Sequence, residues 1–464
     1  MENMTVRKIA EAAGGEILCG DEDTPIVHIS IDSRNIPEHA LFVPLIGEKV
    51  DAHKFLGQAI QNGAAAVFTS RHQVPNDSRV PWIRVEDTKK ALQKLGYAYR
   101  NQMTLPLVGI TGSVGKTTTR EMIALALSAG FSVYKTPGNK NSQVGLPITL
   151  SEITSKDEIG VIELGMSEPG ELSVIAKIAR PDMAVITNIG VTHIEQLGSR
   201  ENIYREKLTI QDGLKEGGTL ILNADDDMLM HTRAREGFRT LYYGTGKQAD
   251  YRAEEISLEE GYPVFTAVHA AERVRVRLHV MGEHNVLNAM AALAVAGEYK
   301  VPMKDAAKVL EQFEGFENRQ QVYRKDGITV INDSYNASPA SMKAAIRVLA
   351  SMSGKRRIAV LADMKELGKD ASAFHYEIGQ FAAEQNIDFL VTCGPLAKQI
   401  AKGVLDAAKN IQVVSFMKNE DVILFLDGLL KPDDCILLKG SNSMKLFEVS
   451  AHLLREDGKE QTQK

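Results

Sequence analysis

The stretch Leu107-Val-Gly-Ile-Thr-Gly-Ser-Val-Gly-Lys-Thr-Thr-Thr119 constrains the fold more than any other part of this 464-residue chain. The apolar run Leu107 to Ile110 reads as a short buried strand, and the amphipathic run from Thr118 to Leu127 reads as a helix. Between them, Gly112 and Gly115 permit a tight turn that aims successive N–H groups at one anionic group beside a helix N-terminus. A lysine and a threonine at that turn suit nucleotide phosphates. Lys116 would reach the outer phosphates, and the Thr117 hydroxyl would ligate Mg²⁺. The spacing departs from the strict phosphate loop at one place, because Ile110 stands where that pattern puts its first glycine.

From this loop onward, apolar strand-like runs alternate with helical ones. Phe131 to Thr136, Ile159 to Leu164, Met183 to Asn188 and Thr219 to Asn223 read as strands, with helices at Glu171 to Ala179 and Arg200 to Asp212. That order predicts an α/β fold whose sheet is mainly parallel and covered on both faces. Tyr251 to Val280 changes to period-two alternation, which predicts an antiparallel flap or small sheet. Four further buried strands, Ile328 to Asn332, Arg357 to Ala362, Phe389 to Cys393 and Cys435 to Lys439, predict a second, Rossmann-like doubly wound unit. The turn after its first strand lacks the dinucleotide glycine pattern. Before the loop, residues 1–86 read as a small α/β unit. The expected domains are therefore 1–86, 87–315 and 316–464, in keeping with a domain size of roughly 150 residues. The polar tail Glu456 to Lys464 reads as frayed.

The formal net charge is −6. That argues against nucleic-acid binding by bulk electrostatics and requires local cations or metal for any polyanionic substrate. The three cysteines form no C-x-x-C pair, which points to a reducing cytoplasm. Neither a signal peptide nor an apolar run long enough to span a bilayer is read.

Open α/β sheets bind ligands at the carboxyl ends of their strands. Glu163 closes one strand there, Asn188 closes the next, and His193 follows in the loop. Beside Thr117 these make a plausible Mg²⁺ environment of oxygen ligands with one imidazole. Lys207, in the charged run Arg205-Glu-Lys207, reads from spacing alone as a solvated surface lysine.

Five motifs occur together and in order: Thr111-Gly-Ser-Val-Gly-Lys-Thr117, Glu163-Leu-Gly, Asn188-Ile-Gly-Val-Thr-His193, Gly282-Glu-His-Asn-Val-Leu-Asn-Ala289 and Asp333-Ser-Tyr-Asn-Ala-Ser-Pro339. Over essentially the whole chain the set resembles the muramyl-peptide (Mur) ligases, ATP-dependent amide-forming enzymes of peptidoglycan precursor synthesis. The resemblance implies a UDP-substrate domain, an ATP domain and a C-terminal domain for the incoming amino compound. The Asp333 to Pro339 turn, with Ala362-Asp-Met-Lys-Glu-Leu-Gly368, looks like the members that add D-alanyl-D-alanine to UDP-N-acetylmuramoyl-tripeptide. Those adding a diamino acid to the dipeptide usually show a different pattern at that turn.

The same resemblance implies roles for individual residues. Thr111, Gly112, Ser113, Val114, Gly115, Lys116 and Thr117 would hold ATP phosphates, and Asn285 would contact adenine. Arg319 and Asp333 would close on ATP from the C-terminal side. Thr117, Glu163, His193 and Lys207 would serve two Mg²⁺ ions, with Lys207 carbamylated by CO₂, and Lys116, His193 and Lys207 would be the catalytic set. Ser33, Arg34 and Lys49 would hold the uridine end, while Tyr335 and Asn336 would lie near the incoming dipeptide. A cytoplasmic monomer without membrane insertion is expected. Three positions depart from the family pattern: Ser142 and Ser338 stand where asparagine is frequent, and Asn318 where glycine is common. The rival readings are the sister ligase for a diamino acid, a P-loop small-molecule kinase, and a nucleotide-gated switch protein.

Overall fold

The computed structural model describes residues 1–73, 79–259, 261–407 and 410–455. The Glu456 to Lys464 tail read from the sequence lies outside them. Three sheets organise the chain. The first has five strands in the order Glu16–Cys19, Trp82–Arg84, Ala66–Thr69, Ala40–Phe42 and His28–Ser30. Apart from the antiparallel Glu16–Cys19 its pairings are parallel, and Val6–Ala13 packs its Val6 and Ile9 side chains into the core beside Leu41 and Phe68.

The helix Thr88–Gln102 connects this unit to the next. Asp87 caps it by accepting the Lys90 N–H at 2.9 Å, one of the four donors a helix start leaves open. Further along, the Tyr99 hydroxyl donates to the Ile153 carbonyl at 3.0 Å, and the buried Arg100 Nε donates to the Ala179 carbonyl at 2.7 Å. The helix is thus fastened to the body it precedes.

The second sheet has nine strands. They run Glu272–Arg277, Tyr262–His269, Tyr251–Glu259, Arg239–Gly244, Thr219–Asn223, Met183–Ile186, Leu107–Thr111, Ile159–Glu163 and Val133–Lys135. The Leu107–Thr111 strand is flanked in parallel on both sides, so all five of its residues are buried. Its Val108 and Ile110 join a core with Ile123 and Leu127 of the following helix, which explains the uninterrupted apolar run in the sequence. The alternating segment near 251–280 is not a separate flap. Tyr251–Glu259 pairs in parallel with Arg239–Gly244, and two antiparallel strands then extend the same sheet. The alternation is real, but it reflects one buried and one wet face at the sheet's end.

The third sheet has six strands, not four. Two flanking strands, Gln321–Lys325 and Gln412–Phe416, join the four read from the sequence. Both edge strands are half exposed and carry polar residues, so neither gives the apolar run that betrays a central strand. Between the second and third sheets, Asn318 and Gln320 adopt positive φ, 59° and 51°. Asparagine tolerates that conformation better than most residues, which accounts for Asn318 where glycine is common. Its side-chain oxygen also accepts from the Asn332 amide at 2.8 Å.

Candidate active site

The strand Leu107–Thr111 delivers the loop to the rim of the central sheet. Gly112 sits at φ 152°, and a Cβ there would fall 1.8 Å from the Thr187 hydroxyl. No other residue fits that turn. Ile110 lies one step too early to matter, being fully buried strand core. Gly115, at φ 84°, opens the helix Lys116–Leu127.

The loop is held from the neighbouring strand end. Asn188 accepts the Val114 N–H through Oδ1 at 3.0 Å and donates its Nδ2 to the Val114 carbonyl at 2.9 Å. Ser113 Oγ accepts the Gly190 N–H at 2.8 Å. Asn188 therefore works as a clamp on the loop, a role the sequence reading did not distinguish from its place at a strand end. The Lys116 ammonium donates to the Gly112 carbonyl at 2.8 Å.

A cavity of about 600 Å³ opens in front of the loop. Ser113, Val114, Gly115, Lys116 and Thr117 line it, together with Glu163, Asn285, Arg319, Asp333, Tyr335 and Asn336. Three chain regions far apart in sequence thus meet in one space. Thr111 and Gly112 do not line it, since both are buried at the base of the loop. Ser33, Arg34 and Lys49 do not reach it either. Ser33 is buried against Gln58, its hydroxyl 2.9 Å from Oε1, while Arg34 pairs with Asp32 and Lys49 is exposed.

Glu163 is a buried carboxylate with several partners. The Thr117 hydroxyl donates to its Oε2 at 3.0 Å, the Asn141 amide donates to Oε1 at 2.8 Å, and Arg120 Nη1 approaches Oε2 at 3.4 Å. Asn141 and Arg120 were not read as site residues from the sequence. Asn141 stood out only as part of the Asn139 to Ser142 run, where the Ser142 hydroxyl accepts the Gly145 N–H at 3.2 Å.

His193 and Lys207 do not line the cavity, yet both feel the charge of Lys116. Lys116 thus has Glu163 and Arg319 as its electrostatic neighbours in the cavity, with His193 and Lys207 also within its reach. Burial lowers the Lys116 ammonium from the usual lysine range, with Glu163 opposing and Arg319 adding to the shift. The reading of Lys207 as a solvated surface lysine is corrected. Its side chain is buried, and among the described residues it makes no ion pair or hydrogen bond. Burial first, and repulsion from Lys116 second, hold its ammonium well below the ordinary range. Spacing misled because the residue lies in a run of charges while the helix turns this one inward.

On the C-terminal side, Lys439 is buried and was missed altogether. Its ammonium donates to Asp333 Oδ2 at 2.7 Å and to the Asn336 carbonyl at 3.0 Å. Burial pushes the Asp333 carboxyl above the usual carboxylate range, with Lys439 and Arg319 opposing. Lys439 closes the strand Asp434–Lys439, so the strand-end rule applied to this sheet would have found it. The Arg319 guanidinium stacks on the Tyr335 ring with 3.9 Å to its centroid. Ser338 caps the helix Pro339–Ser351 in a capping box with Ser341, a service serine performs as well as asparagine. Asn285 lines the cavity with its amide already engaged, donating to the Met281 carbonyl and accepting from Asn288.

A phosphate loop beside a buried carboxylate, with a second α/β unit closing the same cavity, defines a nucleotide-binding site shared by two units. The chain belongs to the Mur ligase family. Family models match it in three segments: the catalytic domain at 25–100, the middle domain at 110–296 and the glutamate ligase domain at 318–442. The UDP-N-acetylmuramoyl-tripeptide–D-alanyl-D-alanine ligase of Bacillus subtilis is 39% identical, covering 98% of this chain and 99% of its own. The ligase of the same name from Escherichia coli is 32% identical, covering 99% and 100%. Among solved structures, the MurF of Acinetobacter baumannii superposes with a TM-score of 0.90 at 32% identity, over 97% of this chain and 99% of that one. The MurF ligase of Thermotoga maritima, solved in complex with ADP, gives 0.82 at 29% identity, over 92% and 96%. The family resemblance carried by the five motifs is thus borne out. So is its leaning toward the D-alanyl-D-alanine-adding members.

Proposed function

We propose that the chain is an ATP-dependent ligase that joins D-alanyl-D-alanine to UDP-N-acetylmuramoyl-tripeptide, releasing ADP and inorganic phosphate. One observation carries this reading. Lys116, Glu163, Arg319, Asp333, Tyr335 and Asn336 line a single cavity, although more than 150 residues separate the first two from the last four. A kinase acting on a small molecule would have no need of the last four.

The chemistry follows from the charges. A carboxylate cannot be attacked by an amine at neutral pH, because oxide would have to leave. The tripeptide's terminal carboxylate oxygen therefore attacks the γ-phosphorus of ATP, and ADP departs, giving an acyl phosphate. The amine of the dipeptide then attacks the acyl carbon. As phosphate leaves, the nitrogen gives up its proton and the amide forms. In the first step one anion approaches another, so positive charge must be concentrated where they meet. The loop N–H groups and the Lys116 ammonium hold the ATP phosphates, and Arg319 adds a second cation from across the cavity. Seating the C-terminal unit over the site keeps water from the acyl phosphate.

The residues present fit Mg²⁺. Among the described residues no three His, Cys, Asp or Glu side chains form a closed cage. An open oxygen pair such as Thr117 and Glu163, completed by phosphate oxygens, is what this ion accepts. Thr117 and Glu163 would hold one ion, and His193 with Lys207 a second. The unpartnered, buried Lys207 suits carbamylation, since its depressed pKa leaves more of the free amine that reacts with CO₂. Bound there, the ions would neutralise phosphate charge and fix the in-line approach. Ser33, Arg34 and Lys49 would meet the uridine end on the N-terminal unit. No helix among the described residues is long and apolar enough to cross a membrane, in keeping with a cytoplasmic site of action.

The test is phosphate release from ATP with purified UDP-N-acetylmuramoyl-tripeptide. Release should rise sharply when D-alanyl-D-alanine is added and remain near background with a diamino acid. Equal release with the UDP-dipeptide and a diamino acid would favour the sister ligase, and release of ADP without phosphate would favour a kinase.

A further inference from the structure

The Ala362 to Gly368 loop contributes no residue to the cavity lining, yet it is built to present one side chain. Asp363, fully buried, accepts the N–H groups of Leu396 and Ala397 at 3.0 and 2.8 Å. The Met364 N–H donates to His375 Nε2 at 2.9 Å, and the Lys365 N–H donates to Ser441 Oγ at 2.9 Å. Met364 and Leu367 are buried in the C-terminal core. Between these anchors Glu366 is turned outward, with φ at 64°.

It faces His193 of the central unit, whose φ is 62°. Glu366 Oε2 lies 2.8 Å from His193 Nδ1. The contact is a charge contact between a half-exposed carboxylate and a buried ring nitrogen that has no other partner among the described residues. Two non-glycine residues in the left-handed region, facing each other across a junction, are costly unless the surroundings enforce them. The junction is tight as well, since a Cβ on Gly368 would come within 3.3 Å of the Glu195 Cα. Val191 of the central unit packs against the C-terminal core.

We propose that Glu366 is a positioning residue: it holds the His193 imidazole from Nδ1 across the domain junction, so that Nε2 is the nitrogen left with a free lone pair. Imidazoles that bind metal are commonly fixed by a carboxylate on their other nitrogen, which sets tautomer and orientation. Here the carboxylate belongs to a different unit from the imidazole. The His193 half of the ion site is therefore complete only when the C-terminal unit is seated, which ties phosphoryl transfer to closure of the cavity. This inference rests on the reading of His193 as an ion ligand.

Mn²⁺ is the probe, titrated into the full chain with a non-hydrolysable ATP analogue and followed by the electron paramagnetic resonance of the free ion. Glu366→Ala should weaken Mn²⁺ binding by about 10- to 100-fold and lower kcat by a similar factor, leaving the KM for ATP unchanged. Glu366→Gln, which keeps an acceptor oxygen without the charge, should fall between wild type and alanine. A carboxylate that merely glued the two units would alter the radius of gyration in small-angle scattering and spare Mn²⁺ affinity. Mn²⁺ binding within about twofold of wild type in both variants overturns the proposal. A wild-type chain that binds Mn²⁺ and nucleotide but releases no phosphate would overturn the ligase reading instead.

Discussion

Lys116→Ala should reduce kcat by roughly 10²- to 10³-fold, while the chain stays folded and monodisperse. The ammonium stands at the mouth of the loop, donating to the Gly112 carbonyl, with Glu163, Arg319, His193 and Lys207 within electrostatic reach. Removing it takes away the cation that an attacking carboxylate needs beside the transferring phosphoryl group. It removes no apolar core, because the ammonium borders the cavity and donates to one loop carbonyl. Steady-state phosphate release together with thermal unfolding checks the claim. Turnover near the wild-type rate would refute the phosphate-loop assignment. Lost turnover with a collapsed unfolding transition would mean that the lysine holds the fold.

Lys207→Ala should cost a comparable factor, roughly 10³-fold, the scale of several kcal/mol for ion-borne charge stabilisation. A buried lysine with no carboxylate partner is expensive to fold, since the charge is desolvated and uncompensated. Carbamylation would resolve the expense by converting the amine to an anion that a bound cation pairs with. Added bicarbonate should leave the alanine variant inactive, because no amine remains to react. Short carboxylates such as acetate or propionate should restore part of the rate by occupying the vacated space. A variant running at the wild-type rate would show that carbamylation has no part in this enzyme.

Much of this site could be read from the chain before any coordinates. The strand-loop-helix order around Lys116 and the apolar run of Leu107 to Ile110 were legible because a parallel strand buried on both faces leaves an unbroken apolar signature. Glu163 and Asn188 were legible because strand ends are where such folds present polar groups. Lys439 obeys the same rule, but in the C-terminal sheet no neighbouring motif drew attention to it. Lys207 was misread from spacing for a physical reason: charge density along a sequence says nothing about which helical face turns inward. Edge strands such as Gln412–Phe416 were missed because half their residues face water. The contact between His193 and Glu366 could not be read at all, since it depends on how two units far apart in sequence meet.

The central claim is that the tripeptide's carboxylate captures the γ-phosphoryl group of ATP. It is tested most directly with UDP-N-acetylmuramoyl-tripeptide carrying ¹⁸O in its terminal carboxylate, with the released phosphate analysed by mass after turnover with ATP and D-alanyl-D-alanine. Passage through an acyl phosphate transfers one carboxylate oxygen to each phosphate released, so the label should appear there. Amide product formed alongside wholly unlabelled phosphate would contradict the account.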